Sequence, residues 1–261
     1  MSKPPASSIS ELNRDTFNNK EVVSFYTDYA KIQAPEKVIF GELEPRLPQM
    51  RVLDIGIGGG RTTALLAPKA KSYIGIDYAQ EMVDAAKQRF PNNDIRWGDA
   101  TNLSDFADAA FDLTIFSFNG VDCIGAAERH RAFLEMFRVT VPGGLIVFSV
   151  HNLLAVPALN RVRFHRHPSV VWRRILRRWK FMSIHKDLVK NPAGDLVYVR
   201  DGTHDFGVEL AYARPLWQLA EVQKLGCKSV RCFALSDGHE LSEQDLATDT
   251  STWVYFLCVK A

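Results

Sequence analysis

Residues 51–67 read RVLDIGIGGGRTTALLA: an apolar run, four glycines within five positions, then a stretch of helical period. A strand that gives way to a glycine turn and a helix is the opening of a β-α unit. The pattern then repeats. Strands are expected at 51–56, 72–77, 94–99, 111–118 and 144–150, with helices between them near 61–69, 79–90 and 126–140. Pro142 and the glycines of VPGG should stop the last helix and start the next strand. Short Val/Ile/Phe-rich runs alternating with helices predict an α/β fold with a mostly parallel, doubly wound sheet.

The glycine turn is a poor phosphate cradle. A dinucleotide fingerprint, G-x-G-x-x-G/A, counted from Gly56 finds Gly58 and then Arg61 where a small residue is needed. A P-loop requires Lys-Ser/Thr after its glycines, and no lysine follows these. Instead an acid, Asp54, stands two residues before Gly56, a poor neighbour for an anion and a good one for a cation. The next strand ends in Asp77, placed to accept from both hydroxyls of a ribose. The third ends in Gly98-Asp99-Ala100, where a carboxylate can accept from an adenine amino group. The three acids together ask for a ligand with a cationic part, a ribose and an adenine, bound at the C-terminal strand ends.

This set, with GIDYAQEM, GDATNL, FDLTIFSFNG and EMFRVTVPGGLIVFS in order, resembles the class I S-adenosylmethionine-dependent methyltransferases of small-molecule type over residues 22 to 151. The resemblance implies a Rossmann-like seven-stranded sheet with its last strand antiparallel, and S-adenosylmethionine as cofactor with S-adenosylhomocysteine as product. It implies that Asp54, Gly56 and Gly58 line the methionine side, with Phe116 and Ser117 near its ammonium. Asp77 would hold the ribose, Asp99 and Ala100 the adenine, and Tyr78 and Met82 would pack against the cofactor. Tyr26 and Tyr29 would cap it from the helix EVVSFYTDYAKI. One departure is Ala79, where the family often has a serine as helix cap.

The residues after the fourth strand, SFNGVDC, match neither the Asp/Asn-Pro-Pro-aromatic motif for amide or adenine nitrogens nor a Pro-Cys pair for pyrimidine carbon. Candidate general bases are His151, with Asp122 to orient it or act itself, and His204. Asp122, His151 and Asn152 could also gather a divalent ion, but a histidine stands where that pattern wants an acid, so no metal is expected. Asn119 and Asn152 can equally serve loop backbone, and His130 sits in a polar helical stretch.

After SVHN the alternation breaks. From Arg161 to Lys190 there are ten basic residues and one acid, net +9 in a chain of net +2, so the rest carries −7. VVWRRILRRWKFM places tryptophans and aliphatics on one side of a helix and arginines on the other. Three readings stand: a lid that packs its apolar stripe on the domain, an interfacial helix on anionic lipid, or a face for a substrate anion or RNA backbone. Strands are expected in DLVYVRDG and FGVELAYA, a helix at 214–225, and strands at 228–235 and 252–260.

The organisation is therefore a loose head (1–20), a cofactor-binding core (21–151), a basic substrate lid (152–212) and a C-terminal completion of the sheet (213–261). No apolar run reaches the ~20 residues of a bilayer span, the first 20 residues lack the apolar centre of a secretory leader, and the four cysteines form no C-x-x-C pair. A cytoplasmic protein, peripheral at the membrane if the basic segment binds lipid, is expected. Its acceptor is expected to be a small molecule, methylated on oxygen, and anionic or lipid-linked, a sugar among the candidates. Methylation of tRNA, N-methylation of a small amine, and a binding module without turnover are the alternatives.

Overall fold

The computed structural model describes residues 8–159, 166–186, 188 and 194–261. Residues 1–7 of the head, and Arg161, Arg163, Asp187 and Lys190 of the basic segment, lie outside the described residues. The elements run α1 (Ile9–Phe17), α2 (Lys20–Asp28), α3 (Ala34–Leu43), β1 (Arg51–Ile55), α4 (Thr63–Leu66), β2 (Ser72–Asp77), α5 (Gln80–Arg89), β3 (Asp94–Trp97), β4 (Phe111–Phe116), α6 (Ala126–Val139) and β5 (Thr140–Asn152). Then come α7 (Val156–Leu159), α8 (Pro168–Ile184), β6 (Leu196–Val199), β7 (Leu210–Ala213), α9 (Pro215–Lys224), β8 (Cys227–Ala234), β9 (Glu240–Leu241), α10 (Glu243–Thr248) and β10 (Trp253–Lys260).

The sheet order is β3-β2-β1-β4-β5-β10-β8-β9. Strands β1 to β5 pair in parallel, and β10 lies antiparallel between β5 and β8. This is the doubly wound arrangement that the sequence predicts, with the reversed last strand that the resemblance implies, in a sheet of ten strands rather than seven. The sheet also carries the short β9 and a pair, β6 and β7, that extends it beyond the C-terminal end of β5. The central strands are buried on both faces, so their residues divide by parity. Leu53, Ile146 and Phe148 point into one core with α6 and α9, while Val52, Leu145 and Val147 point into the other with α3. Phe148 stacks on Phe256 at 4.8 Å and meets Phe133 edge-on at 4.9 Å; deleting such a ring costs about 3–5 kcal/mol.

Four expectations need correction. Residues 9–17 are not loose: α1 starts at a Ser8/Glu11 capping box, and Asn13 is buried with its amide nitrogen donating to the carbonyls of Cys123 and Glu209. The helix expected at 61–69 shortens to α4, because Gly60 has φ +81° and the glycine turn occupies its first residues. Strand β5 begins before VPGG rather than after it; Gly143, at φ +72°, lies where its register against β4 shifts, between Phe111 and Leu113. At its other end β5 runs on to Asn152, since β7 and β10 both pair with His151. The missing serine cap of α5 is supplied from elsewhere: Asp77 accepts from the Ala79 N–H, and Asn18 accepts from the Glu81 N–H.

Candidate active site

A cavity opens at the C-terminal ends of β1, β2 and β4. Its base is the glycine turn. The Gly58 N–H donates to Asp77 Oδ2 at 2.9 Å, with Gly58 at φ +53°, a region that favours glycine. At Gly59 the reason is different: a Cβ there would sit 2.4 Å from Thr27 Cα, so α2 presses directly on the turn. The glycines therefore seat a helix as well as opening space for a ligand.

Asp77 and Asp99 both reach the cavity wall. Each Asp77 oxygen accepts one backbone N–H, from Gly58 and from Ala79, and burial pushes its carboxyl up to about 6 against those stabilising donors. A carboxylate has room for about four hydrogen bonds, so Asp77 keeps acceptor capacity for ligand hydroxyls. Asp99 accepts from the Thr101 N–H at 2.8 Å, which fixes its side chain at the strand end. Gly56, Tyr78, Met82, Ala100 and Phe116 line the same space. The Tyr78 hydroxyl is buried without a hydrogen-bond partner in the protein.

The roof is aromatic. Tyr26, Tyr29, Phe17 and Phe118 border the cavity, and α2 carries the two tyrosines into it as the sequence suggests. His204 packs on this roof, its Nε2 3.4 Å from the Tyr26 hydroxyl and its ring 6.0 Å from Phe17. Burial lowers its pKa below the ordinary histidine value, which keeps the ring neutral at pH 7. His204, Asp205 and Phe206 all have positive φ (46°, 53° and 67°), a strained run for non-glycine residues.

Other expected site residues lie behind the wall. Asp54 is buried under the turn, where its Oδ2 accepts from the hydroxyls of Thr62 at 2.6 Å and Tyr73 at 2.8 Å. It holds the loop and does not border the cavity. Ser117 donates to Glu36 and is likewise turned away. Asp122 and His151 do meet: Asp122 Oδ2 accepts from His151 Nδ1 at 3.0 Å and from its N–H at 2.6 Å, and Oδ1 accepts from Arg129. The His151 ring stacks on Tyr212, with Nε2 3.3 Å from the Asn119 amide nitrogen. Neither residue borders the cavity; the His151 ring meets Trp253, which in turn meets Phe118 of the cavity roof. Among the described residues no cluster of three or more acids, histidines or cysteines could hold a metal ion.

The roof residues Phe17 and Phe118 escaped the sequence reading, and so did a buried ion pair. Arg61 reaches the cavity with its guanidinium 4.8 Å from the Phe118 ring centre, and it forms a two-pronged ion pair with Glu36 at 2.5 and 2.7 Å. Glu36 is fully buried on α3, 25 positions upstream. No local spacing links such a pair; only the fold brings it together.

Residues 53–148 match the family model described as a methyltransferase domain. The chain is 30% identical over 137 residues to a demethylmenaquinone methyltransferase from Paenarthrobacter aurescens, covering 52% of each chain. It is 29% identical over 142 residues to the malonyl-[acyl-carrier protein] O-methyltransferase of Serratia marcescens, covering 52% of this chain and 54% of that one. The chain thus spans about half the length of these curated relatives. In overall fold it is similar to the 1,6-didemethyltoxoflavin-N1-methyltransferase of Burkholderia thailandensis, solved with 1,6-didemethyltoxoflavin and S-adenosylhomocysteine (TM-score 0.60, 12% identity, 100% of this chain and 93% of that one). The CcbJ methyltransferase of Streptomyces caelestis is similarly close (TM-score 0.61, 16% identity, 94% and 98%). Together with the sheet order, the match identifies residues 53–148 as a methyltransferase domain, similar to those of the class I S-adenosylmethionine-dependent enzymes.

Proposed function

We propose that the chain transfers the methyl group of S-adenosylmethionine to an oxygen of a small acceptor that is anionic or lipid-linked. The observation that carries the reading is the cavity itself, which Asp77, Asp99 and Tyr78 line under an aromatic roof. The cofactor supplies an electrophilic methyl on a sulfonium. Asp77 accepts from the ribose hydroxyls, Asp99 from the adenine amino group, and Tyr26, Tyr29 and Tyr78 enclose the remainder. Alignment of the acceptor oxygen with the carbon–sulfur bond is the main demand of such a substitution, and the rigid strand ends serve it.

A hydroxyl acceptor must also lose a proton. His204 is the proposed base: it is neutral, it adjoins the roof through Tyr26, and it belongs to the segment read as the substrate lid. The Asp122–His151 pair is the second reading, favoured by a carboxylate that holds Nδ1 and leaves Nε2 as the basic nitrogen. The net +9 of residues 161–190 supports an anionic acceptor or carrier.

The test is transfer of labelled methyl from S-adenosylmethionine into a fractionated cell extract. Label in the lipid-extractable or small soluble fraction supports the reading and supplies the acceptor. Label in nuclease-sensitive polymer overturns it in favour of RNA, and label in amines overturns the choice of oxygen.

A further inference from the structure

The lid reading of the basic helix required its apolar stripe to pack on the domain. The structure turns that stripe outward. Trp172, Ile175, Leu176 and Trp179 lie on one side of α8 and are 62, 42, 48 and 71% exposed. Phe181, on the opposite side, is the residue of α8 that is buried, against Leu153, Val199 and Phe206. Five of the nine most exposed large apolar side chains among the described residues belong to this helix, so the exposure is concentrated rather than scattered.

We propose that the outer face of α8 docks on an anionic lipid bilayer. The charge pattern selects that occupant. The helix holds Arg173, Arg174, Arg177, Arg178 and Lys180 and no acid. The basic residues flank the stripe and its inner side, so a stripe sunk at the acyl boundary leaves them level with lipid phosphates, and tryptophans favour that depth. A second copy on the same face would bring together two helices of like charge, neither of which holds an acid. An RNA backbone would satisfy arginines but leave both tryptophans in water. Among the described residues no helix is long and apolar enough to cross a membrane, so contact is in the plane of the surface.

Docking would also place the cavity. Arg177 Nη2 donates to the Asp201 carbonyl at 3.4 Å, and Lys180 pairs with Asp205 at 3.2 Å. The segment they grip carries His204, which touches Tyr26 on the roof. A bilayer under α8 therefore lies beside the acceptor side of the cavity. Only this last step rests on the lipid-linked acceptor proposed above.

The test is co-sedimentation of the full chain with phosphatidylcholine vesicles, with and without phosphatidylglycerol. The expected result is binding at least ~10-fold tighter to the anionic vesicles, weakened by salt. The double variant Trp172→Ser/Trp179→Ser should lose ~100-fold of that binding, with S-adenosylhomocysteine affinity unchanged as proof of an intact fold. Absence of binding, equal binding to both vesicle types, or full binding by the double variant overturns the proposal. So does a dimer in analytical ultracentrifugation that the double variant abolishes. Vesicle binding with label confined to the small soluble fraction would keep the docking and end the lipid-linked acceptor; label in lipid without vesicle binding would do the reverse.

Discussion

The cofactor cavity and α8 place charge in opposite ways. Around the cavity, charge is buried and answered: Glu36 by Arg61, Asp77 by two backbone N–H groups, Asp54 by two hydroxyls. On α8 the cations lie at the surface and the largest apolar groups face water. The difference teaches what each region is finished for. A buried charge is tolerated where every partner is already in place, because an unanswered one costs several kcal/mol. The exposed tryptophan stripe has no such answer among the described residues, and the docking proposed above would supply one from outside the chain.

The sharpest way to break the comparison is at the point where the two regions touch. His204→Asn keeps a residue that tolerates positive φ but removes the basic ring. If His204 takes the acceptor proton, kcat falls by about 10²- to 10⁴-fold while S-adenosylhomocysteine affinity holds. A larger loss in His151→Ala than in His204→Asn would move the base to the Asp122 pair. The buried charge comes next. Arg61→Ala leaves Glu36 without its cation and should cost about 3–5 kcal/mol in urea unfolding; a loss below 1 kcal/mol would mean that the pair is not closed off from water as the structure has it.

The pH dependence separates the two roles of the buried acids. Burial pushes both Asp54 and Asp77 up to about 6, above the ordinary carboxylate value. Between about pH 4 and 6 the folded chain then holds protons that the unfolded chain has released, so these groups make folding more favourable as pH falls through that window. Urea unfolding of wild type, compared with Asp54→Asn, should show relative stability rising from about pH 7 to pH 5. Cofactor affinity should move the other way, because a protonated Asp77 is a weaker acceptor for ribose hydroxyls. Calorimetric titration with S-adenosylhomocysteine should show affinity falling below about pH 6 in wild type and a flat profile in Asp77→Asn.

Most of the fold was legible because its signals are local. Strand runs, the glycine turn and the acids at strand ends follow from spacing within a few residues, and β1 to β5, α5 and α9 lie close to where that spacing puts them. The cavity's Asp77, Asp99, Tyr26 and Tyr29 came with them. Glu36 and Arg61 did not, since an ion pair between α3 and the glycine turn is set by packing. Asp54 and Ser117 were placed in the right element, but which way each side chain turns depends on Tyr73, Thr62 and Glu36. For α8 the period identified two faces correctly. It carried no information about which face meets the protein, because that is decided by where Phe181 finds a pocket among Leu153, Val199 and Phe206.

The smallest expected effect therefore tests the comparison most directly. If the stripe on α8 makes no contribution to the fold, Trp172→Ser and Trp179→Ser should each change unfolding stability by less than about 0.5 kcal/mol. A core tryptophan of that size would cost about 3–5 kcal/mol on truncation. Thermal and urea unfolding of the two variants, measured without lipid, distinguish these values easily. A loss near the core figure would mean that the α8 stripe packs inward in solution, and the contrast between an answered cavity and an outward-facing stripe would collapse. A null result in solution, together with weakened vesicle binding, would show that the stripe acts only when a surface covers it.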